Sequence, residues 1–267
     1  MAKKSTSEPK AFDIFGNIAL VKFSFDTKVS EKKKFAEELL KKHKYFKTIL
    51  EKTGKFKGRL RKQRTNWLAG EKTKEVLHRE NGCVFRFNID ETYFSPRLSN
   101  ERIEIARKIK KDDEVFVMFA GVAPYSIVIA KNSKVKIVYS NEINREANKY
   151  AEMNIGLNKL KDKIILLPGD IKKVALKLSK EKKKFAVIVM PRPQLKESFL
   201  KQAFMLSKKG TRNFYYDFCK ESEIELVIEK IKLEARKSKR KIKILRVKKA
   251  GEIAPYKFRF RIDFLVL

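Results

Sequence analysis

Cysteine and histidine are almost absent, with two of each in 267 residues. Cys83 and Cys219 lie far apart and outside any CxxC motif, which argues against a disulfide scaffold and a zinc site. His43 and His78 are the only histidines, so a His-based metal centre is not expected. No apolar run is long enough to cross a bilayer. The longest, Val115–Ala130, is interrupted by Gly121, Pro124, Tyr125 and Ser126. The start MAKKSTSEPK is followed by no signal-type apolar region, and a cytoplasmic protein without membrane contact is expected. GxGxxG and the Walker pattern GxxxxGK[ST] are both missing, which disfavours NAD and ATP.

Acidic residues are also scarce, at 32 Asp+Glu against 65 Lys+Arg, a formal net charge of +33. Self-repulsion on that scale opposes the compact state unless a polyanion relieves it. Nucleic acid is the usual partner, because each neutralised phosphate releases condensed counterions. A general lysine bias of the proteome would normally raise Glu in step, and here it has not. The hydrophobic fraction, 43%, is that of a chain with a real core. Only residues 1–10 read as a polar, disordered start.

Two domains are expected. Residues 11–85 mix short strands with one helix: Ile18–Phe25 alternates like a strand, Ser30–Lys44 places Phe35, Leu39 and Leu40 at helical spacing, and Lys55–Leu60 and Asn66–His78 read as strands with a turn at Ala69–Glu71. Residues 86–267 change rhythm. Strand-length apolar runs at Val115–Phe119, Lys136–Tyr139, Ile164–Leu167 and Phe185–Met190 alternate with helical patterns at Tyr125–Lys131, Asn144–Asn158, Asp170–Leu178 and Gln194–Lys208. That alternation predicts an α/β parallel sheet. Arg212–Phe218 adds a strand, and Ile242–Val247 with Lys257–Leu267 forms a closing antiparallel pair about a turn at Gly251–Pro255. The layout is Rossmann-like, that of class I methyltransferases, preceded by a small α+β domain.

The central motif is Phe119-Ala120-Gly121-Val122-Ala123-Pro124-Tyr125. It leaves a strand and opens a helix, so its small residues let the backbone approach a ligand at the carboxyl end of the sheet. About 20 residues on, Glu142 ends the second strand, where a carboxylate can accept ribose hydroxyls. The alternative for Glu142 is a solvent-facing loop. Asp170 follows the third strand, to face an adenine amino group or to cap a helix. Together these favour a nucleoside-containing cofactor, S-adenosylmethionine before NAD or ATP.

The stretch Tyr93-Phe94-Ser95-Pro96-Arg97-Leu98-Ser99-Asn100-Glu101-Arg102, followed by Met118-Phe119-Ala120-Gly121, resembles the archaeal and eukaryotic tRNA (guanine-N1)-methyltransferases, which modify the base 3′ of the anticodon. Gly58–Arg64 with Leu68-Ala69-Gly70-Glu71 matches a second motif, and Asn213-Phe214-Tyr215-Tyr216 lies near a His-Tyr-Tyr strand of that family. The resemblance implies methyl transfer from S-adenosylmethionine to guanine N1 in the anticodon stem-loop, by a monomer. Guanine N1 is a poor nucleophile until its proton leaves, and Glu101 matches the family's base. Charge then develops on O6, and Arg61 matches the arginine that stabilises it. Tyr93 matches an aromatic position lining the cofactor site, beside Phe119, Ala120, Gly121, Ala123, Glu142 and Asp170. Arg64, Arg97 and Arg192 are candidate RNA contacts. From the residues alone, Glu101 is equally a first-turn helix residue favoured by the dipole, and Arg61 one phosphate contact among several.

Three positions depart from the family pattern. Val117 stands where an Asp is usual and Ala123 where a second Gly is. Val189-Met190-Pro191-Arg192-Pro193 replaces a motif that opens with Asn, with Arg192 and Gln194 the nearest polar substitutes. The domain with which many relatives inspect the tRNA elbow is expected to be missing. Two alternatives therefore stand beside guanine methylation: a wyosine-pathway tRNA transferase moving a methyl or aminocarboxypropyl group, and a non-catalytic RNA-binding protein on the same fold.

Overall fold

The computed structural model describes residues 12–54 and 58–267, and the chain divides into two compact units: one of residues up to 80 with 84–96, the other of 81–83 with 97–267. The expected disorder of residues 1–10 falls outside the described residues.

The first unit begins with β1 (Phe12–Phe15) and β2 (Ile18–Val21), an antiparallel pair. Helix α1 (Val29–Lys42) then crosses over to β3 (Thr48–Lys52), parallel to β2, and β4 (Thr65–Gly70) closes the sheet antiparallel to β3. Helix α1 forms because Ala36 and Leu39 share one face, with Lys33, Lys34, Lys41 and Lys42 exposed. That apolar face packs on Ala19, Val21, Ile49, Leu68 and Ala69 of the sheet. The strand expected at Lys55–Leu60 is not found where the chain is described: residues 58–60 form a turn, with Gly58 at φ 64°, and 55–57 lie outside the described residues. A two-stranded ribbon follows, β5 (Glu75–Glu80) and β6 (Cys83–Asn88). Its turn is Asn81-Gly82, both at positive φ, the pairing that matches the twist of a hairpin.

Gly70 ends β4 at φ +84°, and a Cβ there would lie 2.1 Å from the Lys47 carbonyl oxygen. Both the backbone and the neighbour therefore demand glycine. Gly70→Ala is expected to destabilise the protein by about 2–4 kcal/mol, read as a lower Tm. An unchanged Tm would show that the Lys47 backbone can move aside.

The second unit holds α2 (Ser99–Lys108), then β7 (Glu114–Val117), α3 (Pro124–Asn132), β8 (Ile137–Glu142), α4 (Arg145–Leu157), β9 (Ile164–Pro168), α5 (Ile171–Lys180) and β10 (Phe185–Met190). It ends with α6 (Leu200–Leu206), β11 (Ser207–Lys220), α7 (Ile224–Lys237), β12 (Ile242–Ala254) and β13 (Lys257–Val266). The sheet order is β12-β13-β11-β10-β7-β8-β9. Strands β9, β8, β7, β10 and β11 are parallel, and β13 is antiparallel to both β11 and β12. Strands β7 and β10 run in the middle and are covered on both faces, which is why they read as unbroken apolar runs. The chain leaves β7 toward β8 on one side and returns to β10 on the other. The crevice at the carboxyl ends of those strands is the switch point where such sheets bind ligands.

Elements of the second unit differ from expectation in several places. Helix α6 is shorter than Gln194–Lys208, because the chain from Pro191 to Ser198 is irregular and two prolines there supply no N–H. Strand β11 is longer than Arg212–Phe218: Ser207 pairs with Phe185 of β10, and Arg212–Lys220 pair with β13. Helix α7 was not anticipated, although Val227, Ile228, Ile231 and Ala235 line one face of it. The last hairpin turns at Pro255-Tyr256 rather than Gly251–Pro255.

Candidate functional site

Between β7 and α3 the chain makes a tight turn. Phe119, Gly121 and Ala123 all sit in the left-handed region, at φ 56°, 58° and 65°. For residues with a Cβ this conformation costs on the order of 1–2 kcal/mol, so surrounding bonds must hold it. Met118 N donates to Val189 O at 2.9 Å and Ala120 N to Asn141 O at 2.8 Å. Gly121 N donates to Glu142 Oε2 at 2.8 Å, and Asn154 Nδ2 to Val122 O at 3.2 Å. Pro124 opens α3, where its missing N–H costs nothing. Val117, where the family pattern has Asp, is fully buried in β7. Ala123, where that pattern has a second glycine, takes the glycine conformation regardless.

Glu142 is not a solvent-facing loop residue. Its Oε1 accepts from Ile143 N at 2.8 Å and Asn144 N at 2.7 Å, while Oε2 binds Gly121. One carboxylate thus ties the end of β8 to the turn after β7. Burial pushes its pKa above the usual 4.5, outweighing the three backbone N–H bonds that stabilise its charge. Asn141 spans to the next loop, donating to Leu167 O and Gly169 O. Asp170 caps α5, accepting from Lys172 N at 2.9 Å. The capping alternative is therefore realised for Asp170.

Glu101, in the first turn of α2, is buried. Its Oε2 accepts from the Tyr216 hydroxyl at 2.9 Å and from Arg261 Nη1 at 2.7 Å, and its Oε1 from Lys248 Nζ at 2.6 Å. Tyr216 in turn accepts from the Tyr125 hydroxyl at 3.1 Å. Tyr125 is the second residue of α3, so this chain of bonds reaches from Glu101 to the turn after β7. Register fixes the level: Tyr215 pairs with Met190, the last residue of β10, and Tyr216 with Arg261. Glu101 thus sits at the carboxyl end of the sheet. Around it, Arg261 also binds Asp263 and Glu104, and Lys248 also binds Glu104. Although burial works against its charge, bonds from Arg261 and Lys248 hold Glu104 down at about 2. Burial pushes the Tyr125 hydroxyl up to about 12 and Tyr216 well above its usual value.

Arg61 belongs to the first unit. It takes φ 56° in a segment pinned to residues 88–92: Gln63 N donates to Asp90 O, Gln63 Nε2 to Ile89 O, and Asp90 accepts from Thr65 Oγ1 and Lys74. Its guanidinium lies over the Tyr93 ring, 4.8 Å from the centroid, a cation–π contact that aims a planar donor group. Arg64 and Arg97 are exposed.

Arg192 corrects the expectation of an RNA contact. It is buried, its guanidinium donates to the carbonyls of Pro193, Leu195 and Glu197, and it pairs with Asp217 on β11. Buried carbonyls of an irregular loop need donors, and Arg192 is that donor. Gln194 is exposed on the same loop. The residues missed by sequence reasoning are Tyr125, Lys248 and Arg261. Arg261 carries a signal of its own, since Arg259, Arg261 and Asp263 alternate with Phe258, Phe260, Ile262 and Phe264.

A Rossmann-like sheet closed at one edge by an antiparallel hairpin, carrying a small-residue turn and a carboxylate at the carboxyl ends of its first two strands, defines the architecture of a nucleoside-cofactor methyltransferase. The TRM5/TYW2 methyltransferase domain matches residues 76–245 and the TYW2 N-terminal domain residues 2–73; the chain belongs to the TRM5/TYW2 methyltransferase family. It is 33% identical to tRNA (guanine(37)-N(1))-methyltransferase Trm5b of Pyrococcus abyssi, over 97% of this chain and 75% of the relative. The crystal structure of that Trm5b superimposes with a TM-score of 0.85. Identity is also 33% to tRNA (guanine(37)-N(1))/4-demethylwyosine(37)-methyltransferase Taw22 of Nanoarchaeum equitans, over 96% of this chain and 100% of the relative. A structure of Methanocaldococcus jannaschii Trm5 in complex with adenosine is 28% identical, with a TM-score of 0.80 over 96% of this chain and 74% of that one.

Proposed function

We propose that this chain is a tRNA (guanine37-N1)-methyltransferase that moves the methyl group of S-adenosylmethionine to N1 of the guanine 3′ of the anticodon. The observation that carries the reading is the pairing of a buried carboxylate, Glu101, with the nucleoside-type turn and Glu142 at one end of one sheet. The relatives' names and the adenosine complex support it. The net charge of +33 fits a polyanionic partner, and we place the enzyme in the cytoplasm as a monomer acting on the anticodon stem-loop.

The residues fit an S-adenosylmethionine group on their own chemistry. Phe119, Ala120, Gly121 and Ala123 bring backbone close to it, and Glu142 keeps acceptor capacity for the ribose hydroxyls. Asp170 and Tyr93 complete the set. The cofactor, when bound, supplies an electrophilic methyl group. Glu101 takes the guanine N1 proton, and Arg61 stabilises charge on O6. We assign residues 11–85 to substrate handling and 86–267 to the cofactor; the compact units divide instead as residues up to 80 with 84–96, and 81–83 with 97–267. Arg64 and Arg97 are left as phosphate contacts. Among the described residues no helix is long and apolar enough to cross a membrane.

The raised pKa of Glu142 gives a pH dependence. The ionised carboxylate is the better acceptor for ribose hydroxyls, so affinity is full above that pKa and lost as pH falls through it. S-adenosylhomocysteine binding measured by calorimetry is expected to weaken with acid, with a midpoint above 4.5. A midpoint at or below that value would remove Glu142 from the ribose.

One observation favours a second substrate. Strand β10 ends in Val189-Met190, both fully buried, and neither supplies the polar Asn of the family pattern. The Taw22 relative is named for both guanine and 4-demethylwyosine. Cofactor labelled separately in the methyl and the aminocarboxypropyl group distinguishes the chemistry when offered with unmodified tRNA transcripts and with tRNA carrying 4-demethylwyosine. Methyl label in 1-methylguanosine is expected. Transfer of only the aminocarboxypropyl label would overturn methylation, and no transfer of either would leave a binding protein.

A further inference from the structure

Sequence places Glu101 and the closing hairpin at opposite ends of the second unit, yet β12 and β13 deliver two cations onto one carboxylate. Lys248 Nζ lies 2.6 Å from Oε1, and Arg261 Nη1 lies 2.7 Å from Oε2. Both lie beyond residue 245, where the match to the methyltransferase domain ends. Arg261 is fully buried, while the Lys248 side chain is 29% exposed. A carboxylate offers about four acceptor positions. Tyr216, Arg261 and Lys248 occupy three, which leaves one, on Oε1.

We infer that Lys248 and Arg261 are positioning residues for the base: they hold the Glu101 carboxylate in one rotamer with a single acceptor position open, and that position is the one that takes the guanine proton. The inference rests on the reading of Glu101 as base. Lys248 is then not an RNA contact, although it is a half-exposed lysine in a strongly basic hairpin. Tyr216 and Tyr125 donate in series toward the same carboxylate, and burial keeps both hydroxyls protonated, so they fix geometry and carry no proton away. The other charged groups around this cluster are Glu104, Arg102 and Lys108 on α2, Arg246 on β12, and Arg259 and Asp263 on β13. Glu104 and Asp263 complete the pairing of the two cations.

The test uses the full chain with S-adenosylmethionine and an unmodified tRNA transcript, under single-turnover conditions. Lys248→Met is expected to lower the methyl-transfer rate by about 10-fold or more, with tRNA affinity and its salt slope unchanged. In a Glu101→Gln background the same substitution should cost nothing further, because its target is gone. A loss confined to tRNA affinity, or a full additional loss in the Glu101→Gln background, would overturn the inference and make Lys248 a phosphate contact. Arg261→Lys, which keeps the charge and loses the fork, should retain folding and fall between the parent and Lys248→Met. If Glu101→Gln alone leaves the rate intact, the base assignment fails first, and that result is separate from any Lys248 outcome.

Discussion

Replacing Glu101 with glutamine is expected to cut the methyl-transfer rate by about 100-fold or more, within the range for loss of a general base, while tRNA affinity changes little. Affinity should hold because Glu101 is buried and carries the wrong charge for a phosphate contact. The rate should fall because an amide cannot take the N1 proton, and because its NH2 group meets Lys248 or Arg261, which only donate. A buried cation left without its anion also costs stability, so Tm must be followed in parallel. Glu101→Asp keeps the charge and should recover part of both rate and Tm. An unchanged rate in a folded Glu101→Gln protein would remove the carboxylate from the chemistry.

Arg61→Ala is expected to reduce turnover by about 100- to 1,000-fold, the usual cost of removing one donor to a developing oxyanion. Arg61 differs from Arg59 and Arg64 in its setting. It lies in a segment fastened to residues 88–92, and its guanidinium stacks over Tyr93. A phosphate contact needs charge alone, whereas a charge-stabilising donor needs a fixed plane. Arg61→Lys should therefore recover little of the rate. Kinetics read as separate kcat and KM decide the matter. A rise in KM at constant kcat would reassign Arg61 to phosphate binding, and full rescue by Lys would deny the need for a planar donor.

Local chemistry was legible in the sequence wherever neighbours in the chain are neighbours in space. The strand–turn–helix at Phe119–Tyr125 was readable because the small residues and the following proline are contiguous. Glu142 was readable because a βαβ unit fixes its spacing from Gly121. The ribbon β5–β6 was also within reach, since Asn81-Gly82 is the strongest short-range hairpin signal. The strands expected over Asn66–His78 stop short of that turn. The surroundings of Glu101 were not legible: Lys248 and Arg261 lie 147 and 160 residues away in sequence. Only the sheet register, with Tyr216 opposite Arg261, brings them to α2. Arg192 misled for the opposite reason. An arginine between two prolines reads as exposed, and the loop's own carbonyls drew it inside.

The most direct test of the account is to map the modified atom. An unmodified tRNA transcript is reacted with S-adenosylmethionine and this protein, digested to fragments, and the anticodon-loop fragment is sequenced by mass spectrometry. One methyl group on N1 of the guanine 3′ of the anticodon is the predicted result. A methyl group on another base or atom, or an unmodified loop, would contradict it.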